Sequence, residues 1–114
     1  MFPFPGSITE EDSETLPISY LYDEEIYFRE LTNHINQTYL EHYSSDPGEI
    51  QAFQVMSKRP QRALHFAVMS ILKYSDRFGE KEGENRKDLL KIAHFALLAL
   101  YALDKKTKRK TDET

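Results

Sequence analysis

Cysteine is absent from the 114 residues. Its absence removes disulfides and thiolate metal sites, and it fits a reducing cytosol. Glycine is scarce, and two of the four glycines, Gly79 and Gly83, fall in one short stretch. No apolar run reaches the ~18 residues a membrane-spanning helix needs, so no membrane is expected as a partner. The opening Met-Phe-Pro-Phe-Pro-Gly-Ser has no basic or apolar leader pattern, which predicts no signal peptide. No stretch alternates with the two-residue period of a strand, and no segment repeats. The chemical signatures are as sparse. There is no G-x-x-x-x-G-K-[ST] loop and no G-x-G-x-x-G, which excludes a classical P-loop kinase. There is no H-E-x-x-H, and His34, His42, His65 and His94 show no metal-ligand spacing, so no metal site is assigned. The Glu-x-x-Glu spacing occurs at Glu11 and Glu14, outside the helix cores.

What is present is charge and helical periodicity. Net charge is -4, unevenly spread. Residues 1–30 hold eight acids and one base, whereas residues 104–114 hold five bases and three acids. An acidic chain is not a general nucleic-acid binder, so no nucleic acid is expected as a partner. The size predicts one domain with a modest core. Residues 1–19, with Pro3, Pro5, Pro17 and a run of acids, read as a flexible acidic arm. Residues 20–104 read as the helical domain, and residues 105–114 as a basic flexible tail.

Four helices are expected inside that domain. The first runs from about Leu21 to Leu40, with Phe28, Leu31, Ile35 and Tyr39 at helical spacing. Asp23, Glu24 and Glu25 suit its first turn. The second is short, about Pro47 to Met56, with Asp46 as N-cap and Ile50 and Phe53 facing inward. Pro60 opens the third, which reaches about Asp76 on a stripe of Ala63, Leu64, Ala67, Val68, Ile71 and Leu72. Asn85 caps the fourth, and Leu89, Ile92, Ala93, Ala96, Leu97, Leu100 and Leu103 make it the most apolar. The fold class is therefore all-α: a small four-helix domain with an antiparallel helical hairpin and flexible termini. The last helix is apolar on more than one face, and such excess is commonly buried in a homodimer or higher oligomer.

The hairpin joint carries the chemistry. Lys73, Arg77, Lys81, Arg86, Lys87 and Lys91 are interleaved with Asp76, Glu80, Glu82, Glu84 and Asp88 around the Gly79–Gly83 loop. Lys73 and Arg77 are four apart and share a helix face. With Lys81, Asn85 and the amides of Arg86 and Lys87 they can form an anion cradle. The simpler reading pairs Arg77 with a loop glutamate, and Lys73 with Asp76 or Asp88.

The segment also resembles a family of small tailed-phage proteins described as uncharacterised or nucleotide-kinase-like. The match rests on His42-Tyr43, Leu72-Lys73-Tyr74, Arg77-Phe78-Gly79, Lys81, Gly83, Asn85, Asp88-Leu89 and Lys91. It covers about His42 to Leu103. The resemblance implies a protein that binds a nucleotide or other phosphate ligand in the host-cell cytoplasm, with a P-loop-less nucleoside monophosphate kinase as its enzymatic form. In that form His42 and Asp88 are the candidate catalytic residues. Lys73, Arg77, Lys81 and Asn85 are the candidate phosphate ligands, and Tyr43 and Tyr74 the candidate base-stacking residues. Magnesium is expected if the chain is a kinase, with no protein ligands named. The sequence departs from the family pattern at Ile50-Gln51-Ala52-Phe53-Gln54, where amides stand in place of two carboxylates, and at Met69-Ser70. Glu49 is adjacent but is expected to point elsewhere. The competing expectation is a non-catalytic phage protein that binds and modulates a host protein.

Overall fold

The computed structural model describes residues 18–42 and 48–113, the side chains of residues 42 and 109–113 excepted. The described residues form helices and no strands: α1 (Glu24–His42), α2 (Glu49–Met56), α3 (Pro60–Arg77) and α4 (Arg86–Glu113). The all-α expectation is met.

The hairpin of α3 and α4 is the body of the molecule. The buried positions of α3 are Ala63, Ala67, Ser70 and Tyr74. They are alternately four and three residues apart, and Arg77 continues the series. On α4 the inward positions Asp88, Ile92, Phe95, Ala99 and Ala102 have the same spacing. Four-and-three spacing keeps one seam facing a neighbouring helix over several turns. Small residues let the helices close up: Ala63, Ala67 and Ala102 are all but fully buried. Bulk is supplied from the flanks. Phe53 of α2 packs on Phe66 and Tyr101, Phe66 meets Phe95 edge-on, and Phe95 stacks on Tyr74.

The joint between α3 and α4 is set by backbone geometry. Gly79 and Gly83 have φ of 87° and 69°, a region that costs side-chain-bearing residues energy. The amides of Gly79 and Asn85 both donate to the Gly83 carbonyl. Asn85 then caps α4, its Oδ1 accepting from the Lys87 amide at 2.9 Å. The expected cap is met.

Some boundaries differ from expectation. Gly48, not Asp46, stands at the N-cap of α2; Asp46 lies outside the described residues. α4 does not end near Asp104 but continues to Glu113. Lysine and arginine are good helix formers, and their charge suits a helix C-terminus, so the extension needs no packing. The flexible arm was expected at residues 1–19, of which 1–17 lie outside the described residues. Tyr20, Tyr22 and Tyr27 are exposed.

A Cβ built on Gly79 meets nothing within 4 Å, so only backbone strain opposes a side chain there. Gly79→Ala is expected to lower unfolding free energy by about 1 kcal/mol, with Gly79→Asn less harmful. Urea denaturation of the two variants checks this.

Candidate functional site

The polar residues of the hairpin converge where the α3–α4 seam meets the joint. Arg77 and Asp88 face each other across the seam's last layer. Asp88 is only 2% exposed, and Arg77 Nε lies 3.5 Å from its Oδ1. That separation is an ion pair without a well-formed hydrogen bond, and Asp88 Oδ2 finds no described partner. The outer face of the same guanidinium is taken by Glu82, whose Oε2 accepts from Nη2 at 2.6 Å. Arg77 thus holds one buried and one exposed carboxylate.

One turn further along the seam sits a second polar group. The Tyr74 hydroxyl donates to Glu49 Oε2 at 2.5 Å. Lys91 Nζ lies 3.3 Å from both Glu49 Oε1 and the Tyr74 oxygen. Lys73 reaches Glu49 at 3.8 Å from the solvent side. Burial and the hydrogen bond to Glu49 push the Tyr74 phenol well above its ordinary value, so it stays protonated. Lys73 and Lys91 also lie 4.9 Å and 4.8 Å from the centre of its ring.

Arg77, Glu82, Asn85, Lys87, Asp88 and Lys91 line one open cavity of ≈ 450 Å³. A much smaller cavity, ≈ 30 Å³, lies on the other side of Lys91 among His34, Thr38, Glu49 and His94. His34 and His94 meet edge-on, 6.2 Å between ring centres. Burial, and then the proximity of His34, push His94 down to about 4. Burial likewise lowers His34, helped by Lys91 and Lys87. His94 is the packed histidine its apolar helix predicts. At the far end of α1, Glu30 receives a bidentate contact from Arg86, the Nη2–Oε1 arm at 2.6 Å.

The structure brings together three of the expected site residues, Arg77, Asn85 and Asp88, and separates others from them. Tyr74 is 3% exposed, with Phe95 stacked on its ring, so it offers no open face to a base. Its four-and-three relation to Ala67 and Ser70 turns it into the seam. Lys73 and Lys81 do not line the cavity; Lys73 is directed to Glu49 and Lys81 stands in the exposed loop. Of the two amides expected in the anion cradle, that of Lys87 is already engaged. Asn85 Oδ1 occupies the Lys87 amide, and the Asp88 amide donates to the Asn85 carbonyl. His42 is the last residue of α1, its side chain outside the described ones, and Tyr43 lies outside the described residues altogether. Glu49, which the sequence reading left out of the site, is the acceptor at the centre of the second polar group. Lys87 and Lys91 were the other omissions. Lys91 carried a signal, since it lies three residues after Asp88 and shares its helix face.

A protein-family model described as a protein of unknown function, DUF3310, matches residues 35–96, more than half of the chain. The chain belongs to the DUF3310 family. The DUF3310 segment contains the whole Arg77–Asp88 and Glu49–Tyr74–Lys91 arrangement, and leaves out Glu30 and the lysines beyond Ala102. No curated protein and no solved structure matches. Within the DUF3310 segment Glu49, Glu82 and Asp88 are engaged by cations, and no group of three or more His, Asp or Glu among the described residues can hold a metal ion. The described residues do not fit a resident magnesium.

The histidine pair makes stability depend on pH. A histidine whose folded value lies below its unfolded one, near 6.5, contributes fully above that value. The contribution is lost as pH falls towards the folded value. Stability is expected to be level above about pH 7 and to fall below 6.5, approaching about 1.4 kcal/mol per pH unit for His94. His94→Phe should flatten this stretch, as urea unfolding at pH 7, 6 and 5 will show.

Proposed function

We propose that this DUF3310 protein binds a phosphate-bearing small molecule in the cavity at the hairpin joint. A nucleotide is the ligand class that the resemblance to tailed-phage proteins implies. One observation carries the reading. Four residues of the hairpin motif, Arg77, Asn85, Asp88 and Lys91, line a single cavity of ligand size with Lys87 beside them. Their pairing also leaves room for an incoming anion. The Arg77–Asp88 contact is buried, whereas Glu82 is 62% exposed and sits on a glycine-flanked loop. Exposed pairs of this kind are worth about 1 kcal/mol or less. A phosphate can therefore take the place of Glu82 on Arg77 while Asp88 keeps the guanidinium aimed into the cavity. Among the described residues no carboxylate pairs with Lys87. Its ammonium supplies a second charge, and Lys91, held by Glu49 and Tyr74, supplies a third.

On the same resemblance the protein acts in nucleotide metabolism of an infected host cell, and its enzymatic form is a nucleoside monophosphate kinase without a P-loop. Catalysis of that kind would rest on positioning and electrostatics. A second reading is favoured by the engagement of Arg77 and Lys91 with internal acids. In it the cluster is structural, and the protein is a non-catalytic module that modulates a host protein through its exposed surfaces.

Calorimetry separates the two. Inorganic phosphate and nucleoside mono-, di- and triphosphates are titrated with and without magnesium. Binding is expected for the wild type, weaker by about ten- to a hundredfold in Lys87→Glu and Arg77→Ala, and tighter in Glu82→Gln. A circular-dichroism melt controls for folding, since Arg77→Ala leaves Asp88 buried and unpaired. Silence with every phosphate, or affinity indifferent to Lys87→Glu and Glu82→Gln, overturns the phosphate reading.

A further inference from the structure

α4 carries a second seam. Leu89, Ala93, Ala96, Leu100 and Leu103 are alternately four and three residues apart, as are the residues that face α3, but they lie one position further round the helix. This seam is apolar throughout. Among the described residues nothing closes over it: Leu89 is 50% exposed, Leu100 58% and Leu103 44%, with Leu97 beside them at 41%. At its N-terminal end it opens into an apolar groove of ≈ 460 Å³ between α1 and α4, walled by Tyr27, Phe28, Leu31, Leu89, Leu90 and Ala93. A heptad-spaced leucine and alanine stripe is the pattern of a helix that pairs with another helix.

We infer that the occupant is α4 of a second copy of this chain, lying antiparallel across the seam. Three features of the molecule select that occupant and that direction. First, the stripe is self-complementary about its midpoint at Ala96. In antiparallel pairing each Leu103 meets the partner's Leu89 at the mouth of the groove, each Leu100 fills the space left by an alanine, and the two Ala96 residues pass closely on the two-fold axis. Second, the charges along the molecule are polarised. Lys105, Lys106 and Lys108 follow the stripe on α4, while at its other end Glu24 lines the groove beside Leu89, next in sequence to Asp23 and Glu25, and Arg86 there is already paired with Glu30. Antiparallel pairing carries the lysines of each copy to the acids of the other; parallel pairing sets lysines against lysines. Third, opposed helix dipoles favour the same direction. The isologous arrangement closes on itself as a dimer. It leaves the cavity at the hairpin joint on the α3 side, so it does not depend on what that cavity binds.

The absence of cysteine makes the direction directly readable. The full chain is expected to sediment as a dimer at tens of micromolar protein. Leu100→Glu, at an exposed position that the monomer does not need, should raise the dimer dissociation constant at least a hundredfold without changing the helical circular dichroism. Under mild oxidation Ala96→Cys should cross-link to a covalent dimer, and Leu103→Cys should not, because antiparallel pairing holds its two sulfurs about two heptads apart. A monomeric full chain overturns the proposal. So does a full chain that dimerises only after residues 1–17 are removed, which would make that segment the occupant of the groove. A dimer insensitive to Leu100→Glu, or one that cross-links through Leu103→Cys, overturns it equally.

Discussion

The closeness of α3 and α4 governs the rest of the structure, and it is set by alanine. Ala63, Ala67 and Ala102 put almost nothing between the two backbones. With no room for bulk inside the seam, the aromatic rings sit along its edges, and α2 is drawn in to complete them through Phe53. At the last layer the same closeness buries the Asp88 carboxylate against Arg77. A buried pair of this kind adds little net stability, yet removing one partner costs about 3–5 kcal/mol. A slip of the hairpin by one turn would carry the same penalty, so the pair fixes the register in which the alanines meet.

From that register follows the order of charge at the joint. Reading outward, a buried carboxylate is met by a guanidinium, which is met by an exposed carboxylate on the loop. Alongside, a half-buried lysine is met by Glu49 from a different helix, with the protonated Tyr74 hydroxyl as the hinge between them. Neither group carries its charge alone. The inner members are held by burial and the outer ones by weak surface contacts. Such an arrangement keeps cations oriented in the resting protein and can release one face of them when a stronger anion arrives.

Much of the fold was legible in the sequence, for identifiable reasons. Pro60 and Asn85 mark the starts of α3 and α4 by their backbone and capping chemistry, and the glycines of the joint mark the turn between them. The apolar period told the inward face of α2 through Ile50 and Phe53, and part of that of α3 through Ala63 and Ala67. Phe28, Tyr39, Val68, Leu72, Leu89, Leu97, Leu100 and Leu103, read on the apolar stripes, are exposed because the chain has more apolar positions than the hairpin seam covers. The site was less legible because its partners come from separate helices. Glu49 reaches Tyr74 across twenty-five positions and Lys91 across forty-two, and no spacing rule relates residues so far apart. Tyr74 illustrates a different difficulty. The resemblance offered its ring to a base, whereas its place in the four-and-three series with Ala67 and Ser70 turned it inward. The length of α4 was hidden too, since its last turns are held by local propensity and dipole rather than by an apolar stripe.

The uneven attachment of α1 has a dynamic consequence. α3 and α4 share a long seam and are neighbours in sequence, which makes them the part that forms on local contacts and opens last. α1 is held to α4 by a surface ion pair at one end, a histidine contact in the middle and a groove that is only partly filled. Its amides should therefore exchange with solvent through openings that leave the hairpin intact. In such an opening Lys91 loses the side of its surroundings that His34 and Thr38 provide, and the two cavities that flank it run together. The protein would then have a breathing mode in which the most lightly held helix gates the most charged part of the hairpin.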